Sequence, residues 1–169
     1  MIKQFLLCVA CGIIVMSCTP AHKADIPAIK QQLENKTNQF VLAFNKQDIN
    51  GLTADYWNNP DLPVYFPDGD YRGFDAMKQS WQTFFQHFSV ERFALTELHT
   101  DVDSGGEMAY QNGKFDLVMQ MKSNGQEIKA PGRFTQVWKN MNGTWVIVVD
   151  HASSPLPPPP AIADTTRKM

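Results

Sequence analysis

Near its end the chain carries two apolar segments that flank an Asn-Gly pair. The first segment runs from Gly132 to Trp138, the pair is Asn142-Gly143, and the second segment runs from Thr144 to Val149. Asn-Gly tolerates the positive φ angles of a tight turn, so this pattern predicts an antiparallel β-hairpin. The second strand ends in a polar cluster, where ligand contact or chemistry is expected: Asp150, His151, Ser153 and Ser154.

The N-terminal half of the chain has helical periodicity. Apolar residues recur every three or four positions from Ile26 to Lys46, which predicts a long amphipathic helix. Asp25 and Asp48 are suited to cap this helix and a short second helix that ends before Asn58. The pattern from Gly73 to Phe88 predicts a third helix with its aromatic side chains toward the core.

Strands dominate the rest of the sequence. Pro63 to Phe66 predicts a short strand, and Pro67 to Asp70 has the residues of a turn. After Phe88 the apolar period changes to two, and a strand that starts at Met108 is predicted to be interrupted at Asn112-Gly113. Helices followed by a meander indicate an α+β fold: a curved antiparallel sheet with three N-terminal helices that form a cone-shaped cavity, a cystatin-like roll.

The beginning of the chain predicts export. Lys3 precedes an apolar run from Phe5 to Met16, which is too short to span a bilayer and is typical of a secretory signal. Val15-Met16-Ser17-Cys18 resembles the lipobox of bacterial lipoproteins, which implies a signal peptide over residues 1–17 and a lipid on Cys18. An ordinary cleaved signal or an uncleaved anchor is the alternative. Thr19 after Cys18 favours the outer membrane, on the periplasmic side of the cell envelope.

Composition limits the domain organisation. The only cysteines are Cys8, Cys11 and Cys18, so the remainder of the chain has neither a disulfide nor a thiol nucleophile. Residues 18–24 are interpreted as a linker and residues 25–154 as one domain with its own core. Residues 155–169 begin with a run of prolines and are predicted to be a disordered tail.

Several classes of partner and cofactor are not indicated. The formal net charge is −2 and the basic residues form no stripe, which argues against nucleic acid as a partner. The four histidines, His22, His87, His99 and His151, lack the spacing of metal ligands, and no Gly-rich phosphate loop is present. We therefore expect no metal and no cofactor, and a small molecule as the ligand.

The chain resembles the nuclear transport factor 2-like superfamily, and within it the SnoaL-like proteins, the ketosteroid isomerase relatives and the association domain of calcium/calmodulin-dependent kinase. The likeness covers about Ile26 to Ser154 and implies a cavity behind the sheet. Three stretches carry it: Phe40 to Asn45 with Asp48, Val64 to Gly69 with Arg72-Gly73, and Thr135 to Trp138 with Gly143 to Trp145, His151 and Ser153. Because this superfamily hosts many functions, the resemblance implies the fold more strongly than the activity.

Strand alternation and this resemblance together select candidate site residues. The even hairpin loop puts Gln136 and His151 on one strand face and Asp150 on the other. The kinase association domain has a pocket arginine where this chain has Gln136 and also a histidine where it has His151, so the resemblance places both on the cavity side. His151 titrates near neutrality and suits proton transfer or a ligand hydrogen bond, with a structural histidine as the alternative.

Other residues complete the predicted site. Asp68 is a candidate general base at the cavity mouth, although Pro-Asp-Gly is also an ordinary turn. Tyr65 is expected to place its hydroxyl in the cavity. Tyr56 and Trp57 are expected to line the mouth or, more in keeping with their size and apolar character, to pack in the core. Arg133 is a further candidate for ligand binding, with pairing to a carboxylate on a neighbouring strand as its alternative.

The resemblance does not extend to the isomerase catalytic groups. The matching position for the base holds Phe66, that for the helix 1 tyrosine holds Phe40, and residues 133–139 contain no acid. Steroid isomerase activity is therefore not favoured. Three hypotheses remain: a lipid-anchored module that binds a small, mainly apolar molecule; an isomerase, cyclase or hydratase with His151 or Asp68 as base; and a structural dimerisation module. A homodimer is expected under all three, because both faces of the last hairpin are apolar.

Overall fold

The structure, a computed structural model, describes residues 24–155. The predicted signal peptide, the predicted lipidation at Cys18 and nearly all of the predicted Pro-rich tail lie outside these residues. The three helices are α1 (Ile26–Asn45), α2 (Ile49–Thr53) and α3 (Phe74–His87). The strands are β1 (Pro63–Phe66), β2 (Gly69–Arg72), β3 (Phe88–Val102), β4 (Met108–Met121), β5 (Glu127–Lys129), β6 (Gly132–Met141) and β7 (Thr144–Ser153).

The helices begin where the sequence predicts. The Asp25 side chain accepts a hydrogen bond from Ala28 N at 3.1 Å, and the Asp48 side chain accepts one from Asn50 N at 3.0 Å. Each carboxylate satisfies an amide that has no partner inside its helix. No described helix, in residues 24–155, is long and apolar enough to cross a membrane.

One sheet contains all seven strands. Its order is β2-β1-β7-β6-β4-β3, and β5 pairs with β4 outside this path. Most neighbours are antiparallel, but β1 runs parallel to β7, with Val64 opposite Asp150 and Tyr65 opposite His151. The α+β prediction with N-terminal helices and a curved sheet is confirmed, and the sheet is mixed rather than wholly antiparallel because the α2–β1 connection brings β1 alongside the last strand.

Two local predictions for the strands are wrong. Residues Gly69 to Arg72, assigned in part to a turn, form β2, and a two-residue loop joins it to β1. The predicted interruption at Asn112-Gly113 is absent, because β4 continues from Met108 to Met121. A Cβ on Gly113 would lie 2.1 Å from the backbone oxygen of Glu97, so glycine permits β3 and β4 to approach closely there.

The core is formed by two groups of buried side chains. One group joins α1, α3 and the β1, β6 and β7 strands, and both Trp138 and Trp145 are at most 2% exposed within it. The other group joins all three helices to β3 and β4, with Phe44 stacked on Phe93 at a ring-centroid distance of 4.3 Å. The helices therefore cover the inner face of the sheet, and the cavity described next lies between the two layers.

Candidate functional site

A cavity of about 340 Å³ lies between the helices and the inner face of the sheet. Nine aromatic rings contribute to its wall, and they come from α1, α3 and four strands: Phe40, Phe44, Phe66, Trp81, Phe84, Phe88, Phe93, Phe115 and Phe134. Pockets of this size and apolar character are typical sites for small ligands. The sequence-derived prediction of a hollow behind the sheet is thus met.

A row of buried polar side chains crosses the sheet at one side of this cavity. Thr100 on β3 pairs with Gln111 on β4, Gln111 with Gln136 on β6, and Gln136 with Asp150 on β7. All four are at most 6% exposed. Gln111 Nε2 donates to Thr100 Oγ1 at 3.1 Å, and its Oε1 accepts from Thr37 Oγ1 of α1 at 2.7 Å. Four strands and one helix thus hold the row in place, as buried polar groups require.

Asp150 is the charged member of this row and lines the cavity. Its Oδ2 atom accepts hydrogen bonds from Tyr56 Oη and from Gln136 Nε2, the latter at 3.2 Å. Burial raises the pKa of Asp150 from 3.8 to about 6, although the hydrogen bonds from Tyr56 and Gln136 and the charge of His151 oppose that rise. Within residues 24–155, Asp150 makes no salt bridge.

Tyr56 is held against Asp150 by backbone pairing. It lies just after α2 and forms a parallel bridge with Ile147 of β7. Ile147 N donates to Asp55 O at 2.7 Å, and Trp57 N donates to Ile147 O at 2.9 Å. Burial, followed by the charge of Asp150, raises the pKa of Tyr56 well above its ordinary value of 10.0. The phenol therefore stays protonated at neutral pH and acts as a hydrogen-bond donor.

A β-bulge decides which side of β7 faces the cavity. Trp138 pairs with Ile147 and Val137 pairs with Val149, so Val148 is an extra residue without a partner on β6. The alternation of β7 shifts by one residue at this point. Asp150 consequently turns inward and His151 turns outward, where it is exposed. The prediction that His151 faces the cavity, and that Asp150 faces away, is wrong because it assumed an unbroken strand.

The other predicted residues are divided between the cavity and the surface. Gln136 lines the cavity as predicted, and Asp68 contributes to its wall as an exposed residue that accepts a hydrogen bond from Tyr71 Oη at 3.1 Å.

Tyr65 is 43% exposed and lies beside His151, with 6.4 Å between ring centroids. Its predicted position in the cavity is wrong, since Phe66 faces inward instead. Trp57 packs against the core and does not line the cavity. Arg133 is exposed and does not line the cavity either.

Sequence reasoning did not place Asp150 in the cavity, and for Tyr56 it favoured core packing over a place at the cavity mouth. Asp150 was named in the polar cluster, but its face depends on the bulge, which the sequence does not announce. Tyr56 reaches the site through a bridge to a strand 91 positions later in the chain. The pairing of Asp150 with the wholly buried Val64 of β1 would have indicated a buried carboxyl group, but this long-range pairing is visible only in the structure.

The site supplies acceptors and aromatic surface rather than cations. No Lys, Arg or His side chain lines the cavity formed by the described residues. Residues 24–155 also contain no group of three or more His, Cys, Asp or Glu side chains placed to hold a metal ion. Chemically, the buried carboxyl group can bind a hydrogen-bond donor or a cation, or exchange a proton near neutral pH.

Comparison with known proteins identifies the kind of domain. Residues 33–157 match the model of the family described as SnoaL-like domain. A search of curated proteins gave no match. Among solved structures, an NTF2-like superfamily protein from Salmonella enterica serovar Typhimurium is similar, with a TM-score of 0.71 and 24% identity over 78% of this chain and 94% of that one.

Two further solved structures share the fold. A ketosteroid isomerase-like protein from Erwinia carotovora atroseptica has a TM-score of 0.65 and 18% identity over 76% of this chain and 97% of its own. A candidate calcium/calmodulin-dependent protein kinase II association domain from Xanthomonas campestris has a TM-score of 0.62 and 16% identity over 79% of this chain and 94% of its own. The predicted resemblance to the SnoaL-like and nuclear transport factor 2-like proteins is confirmed.

Proposed function

The chain belongs to the SnoaL-like domain family, and on this basis we propose that its cavity binds a small, mainly apolar molecule with one polar group directed at Asp150. The observation that carries this proposal is the aromatic cavity of about 340 Å³ with a buried carboxyl group in its wall. Protein interiors are normally close-packed, and voids reduce stability by removing contacts from their lining. An apolar occupant would restore those contacts and be removed from water in the process.

Binding can be measured with a neutral fluorescent probe, N-phenyl-1-naphthylamine, and the predicted exported chain, residues 18–169 with Cys18→Ser. We expect saturable fluorescence enhancement with one probe per chain. Ala152→Trp should abolish it, because Ala152 lines the cavity and the indole would occupy the space. Ser153→Trp is the matched control. Ser153 is the next residue along the strand, pairs with exposed Arg133 and lies outside the cavity lining, so binding should persist. Equal binding by the two variants would contradict the proposal.

A second candidate function, an isomerase, cyclase or hydratase, is favoured by one observation. Asp150 has a pKa of about 6 in an apolar cavity, and the protonated Tyr56 is bonded to it. A carboxyl group with a raised pKa can accept and return a proton at neutral pH, as general acid–base chemistry requires. In this version Asp150 replaces His151 and Asp68 as the base. A ligand of the cavity that is recovered chemically unchanged after prolonged incubation with the protein would favour binding over catalysis.

We also propose that the chain is a lipoprotein of the cell envelope, anchored through Cys18. The support is the sequence Val15-Met16-Ser17-Cys18 after a short apolar run. Expressed with its N-terminal segment in a bacterium, the chain should partition with membranes and incorporate radiolabelled palmitate. Cys18→Ser should abolish labelling, whereas Cys11→Ser should not. Labelling that persists in Cys18→Ser would contradict this assignment.

A homodimer through the outer face of the sheet is the remaining part of the proposal. Tyr65, Tyr110, Val137, Val149 and His151 lie on this face, which the helices leave uncovered, and we name it the outer patch. Tyr65 and Tyr110 are 43% and 41% exposed. Aromatic and aliphatic side chains at the centre of a surface are typical of protein interfaces. The likeness to a candidate association domain adds support for pairing with a second copy.

A further inference from the structure

The Asp150 carboxyl group has no salt-bridge partner in the described part of the chain, although the charge of the outward-facing His151 acts on it. Asp150 is 4% exposed, yet no Lys, Arg or His among residues 24–155 forms a salt bridge with it. Both side-chain donors, Tyr56 Oη and Gln136 Nε2, reach the same oxygen, Oδ2, and the backbone N–H of His151 is the other donor to this carboxyl group. Buried charges in proteins are normally paired. An occupant of the cavity that carried a positive charge would complete this site.

Two hydroxyl groups of the cavity wall are already engaged in hydrogen bonds within the protein. Thr37 Oγ1 lies 3.0 Å from Leu33 O and 2.7 Å from Gln111 Oε1, and Ser80 Oγ donates to Met77 O at 2.8 Å. The Trp81 indole N–H has no partner, but its nitrogen atom is itself covered and does not reach the cavity surface. The charged groups of the wall, Asp150 and Asp68, are both acidic, so the wall favours a cation over an anion.

Both strands next to Asp150 contribute an aromatic residue to the same cavity wall. Val64 on β1 and Gln136 on β6 are the partners of Asp150. Phe66 and Phe134 lie two residues along from these partners, on the same face of the sheet, and both line the cavity. The faces of aromatic rings attract cations, most strongly where water is excluded. A carboxylate among aromatic rings is thus complementary to an ammonium group on an apolar body.

We propose that the ligand of this cavity is an apolar amine, bound as its ammonium ion with the charge at Asp150 and the hydrocarbon part against the aromatic wall. This inference rests on the proposed small-molecule binding function and adds the chemical class of the ligand. It distinguishes the site from one for carboxylates, which the two acidic groups would repel, and from one for neutral compounds, which would gain only a hydrogen bond to the carboxylate.

Three compounds of nearly equal size test the charge preference: 4-phenylbutylamine, 4-phenylbutanol and 4-phenylbutyrate. Their affinities for the predicted exported chain, residues 18–169 with Cys18→Ser, are measured by titration calorimetry at pH 7.5. We expect the amine to bind about tenfold more tightly than the alcohol, and the carboxylate to bind most weakly. In Asp150→Asn the amine and the alcohol should bind within about twofold of each other, because the amide removes the charge and keeps the shape.

Matched variants separate Asp150 from the other charges near it. His151→Ala removes the neighbouring side chain on the outward side and should retain the preference for the amine. Asp68→Asn changes an exposed group of the cavity wall and should reduce this preference less than Asp150→Asn does. The other groups around Asp150 are Tyr56 and Gln136, while α1 and α3 contribute only hydroxyls as polar groups to the wall. At pH 5 the preference should shrink in the parent chain, because Asp150 becomes protonated while the amine stays charged.

The outcomes are distinct. Tighter or equal binding of the alcohol, or a preference for the amine that survives in Asp150→Asn, would overturn the amine assignment while leaving the binding function in place. If N-phenyl-1-naphthylamine also fails to bind, the proposed function itself fails. Amine binding that is abolished by Ala152→Trp and loses its charge preference in Asp150→Asn would support both.

Discussion

At the scale of single residues, Asp150 is expected to reduce stability at neutral pH. Its carboxyl group binds a proton more tightly in the folded chain, where its pKa is about 6, than in the unfolded chain, where it is near 3.8. Protonation therefore stabilises the fold below pH 3.8, and this stabilisation is lost as pH rises through 6. The full difference corresponds to about 3 kcal/mol. The substitution Asp150→Asn should therefore increase the free energy of unfolding, compared with the parent, by more at pH 8 than at pH 4.5.

Urea denaturation of the two proteins at both pH values measures this effect. The difference in the free energy of unfolding, variant minus parent, should be larger at pH 8 than at pH 4.5. Asp68→Asn is the control because that carboxylate is exposed, and a surface change of this kind alters stability by about 0.5 kcal/mol or less. A difference for Asp150→Asn that is independent of pH would show that the carboxyl group has no raised pKa.

At the scale of elements, the segments with local signals were predictable. Asp25 and Asp48 mark helix starts because a carboxylate can accept the free amides of a first turn, and both do so. Asn142 and Gly143 have φ angles of 55° and 88°, the conformation that a two-residue hairpin loop requires. These features depend on residues that are close in sequence, so the sequence alone was enough to place them.

The elements that define the site depend on contacts between distant residues. The bulge at Val148 divides β7 into two stretches, and each pairs with a different partner along the edge opposite β6. Before the bulge, Ile147 pairs with Tyr56; after it, Asp150 and His151 pair with β1. No residue in β7 marks this change, since Val148 is an ordinary strand residue. A shift of one position exchanges the inward and outward faces, which is why His151 was predicted in the place that Asp150 occupies.

At the scale of the whole molecule, the fold separates two surfaces of different character. The inner face of the sheet, with the helices across it, encloses the cavity and its buried acid. The outer patch carries aromatic and aliphatic side chains that the helices do not cover. Because the β7 bulge directs Asp150 to one surface and His151 to the other, changes to the outer patch should alter assembly without removing the cavity's charged group.

Val137→Lys tests the proposed dimer. Val137 lies at the centre of the outer patch, opposite Tyr110 on β4 and Val149 on β7. If two copies pair through this face, each copy brings a lysine to the interface, where loss of hydration and mutual repulsion oppose association. Sedimentation equilibrium at micromolar concentration should give a dimer for the parent and a monomer for this variant. Leu42→Lys on α1, where Leu42 is 50% exposed, is the control and should remain dimeric. A monomeric parent, or a dimer disrupted only by Leu42→Lys, would contradict pairing through the sheet.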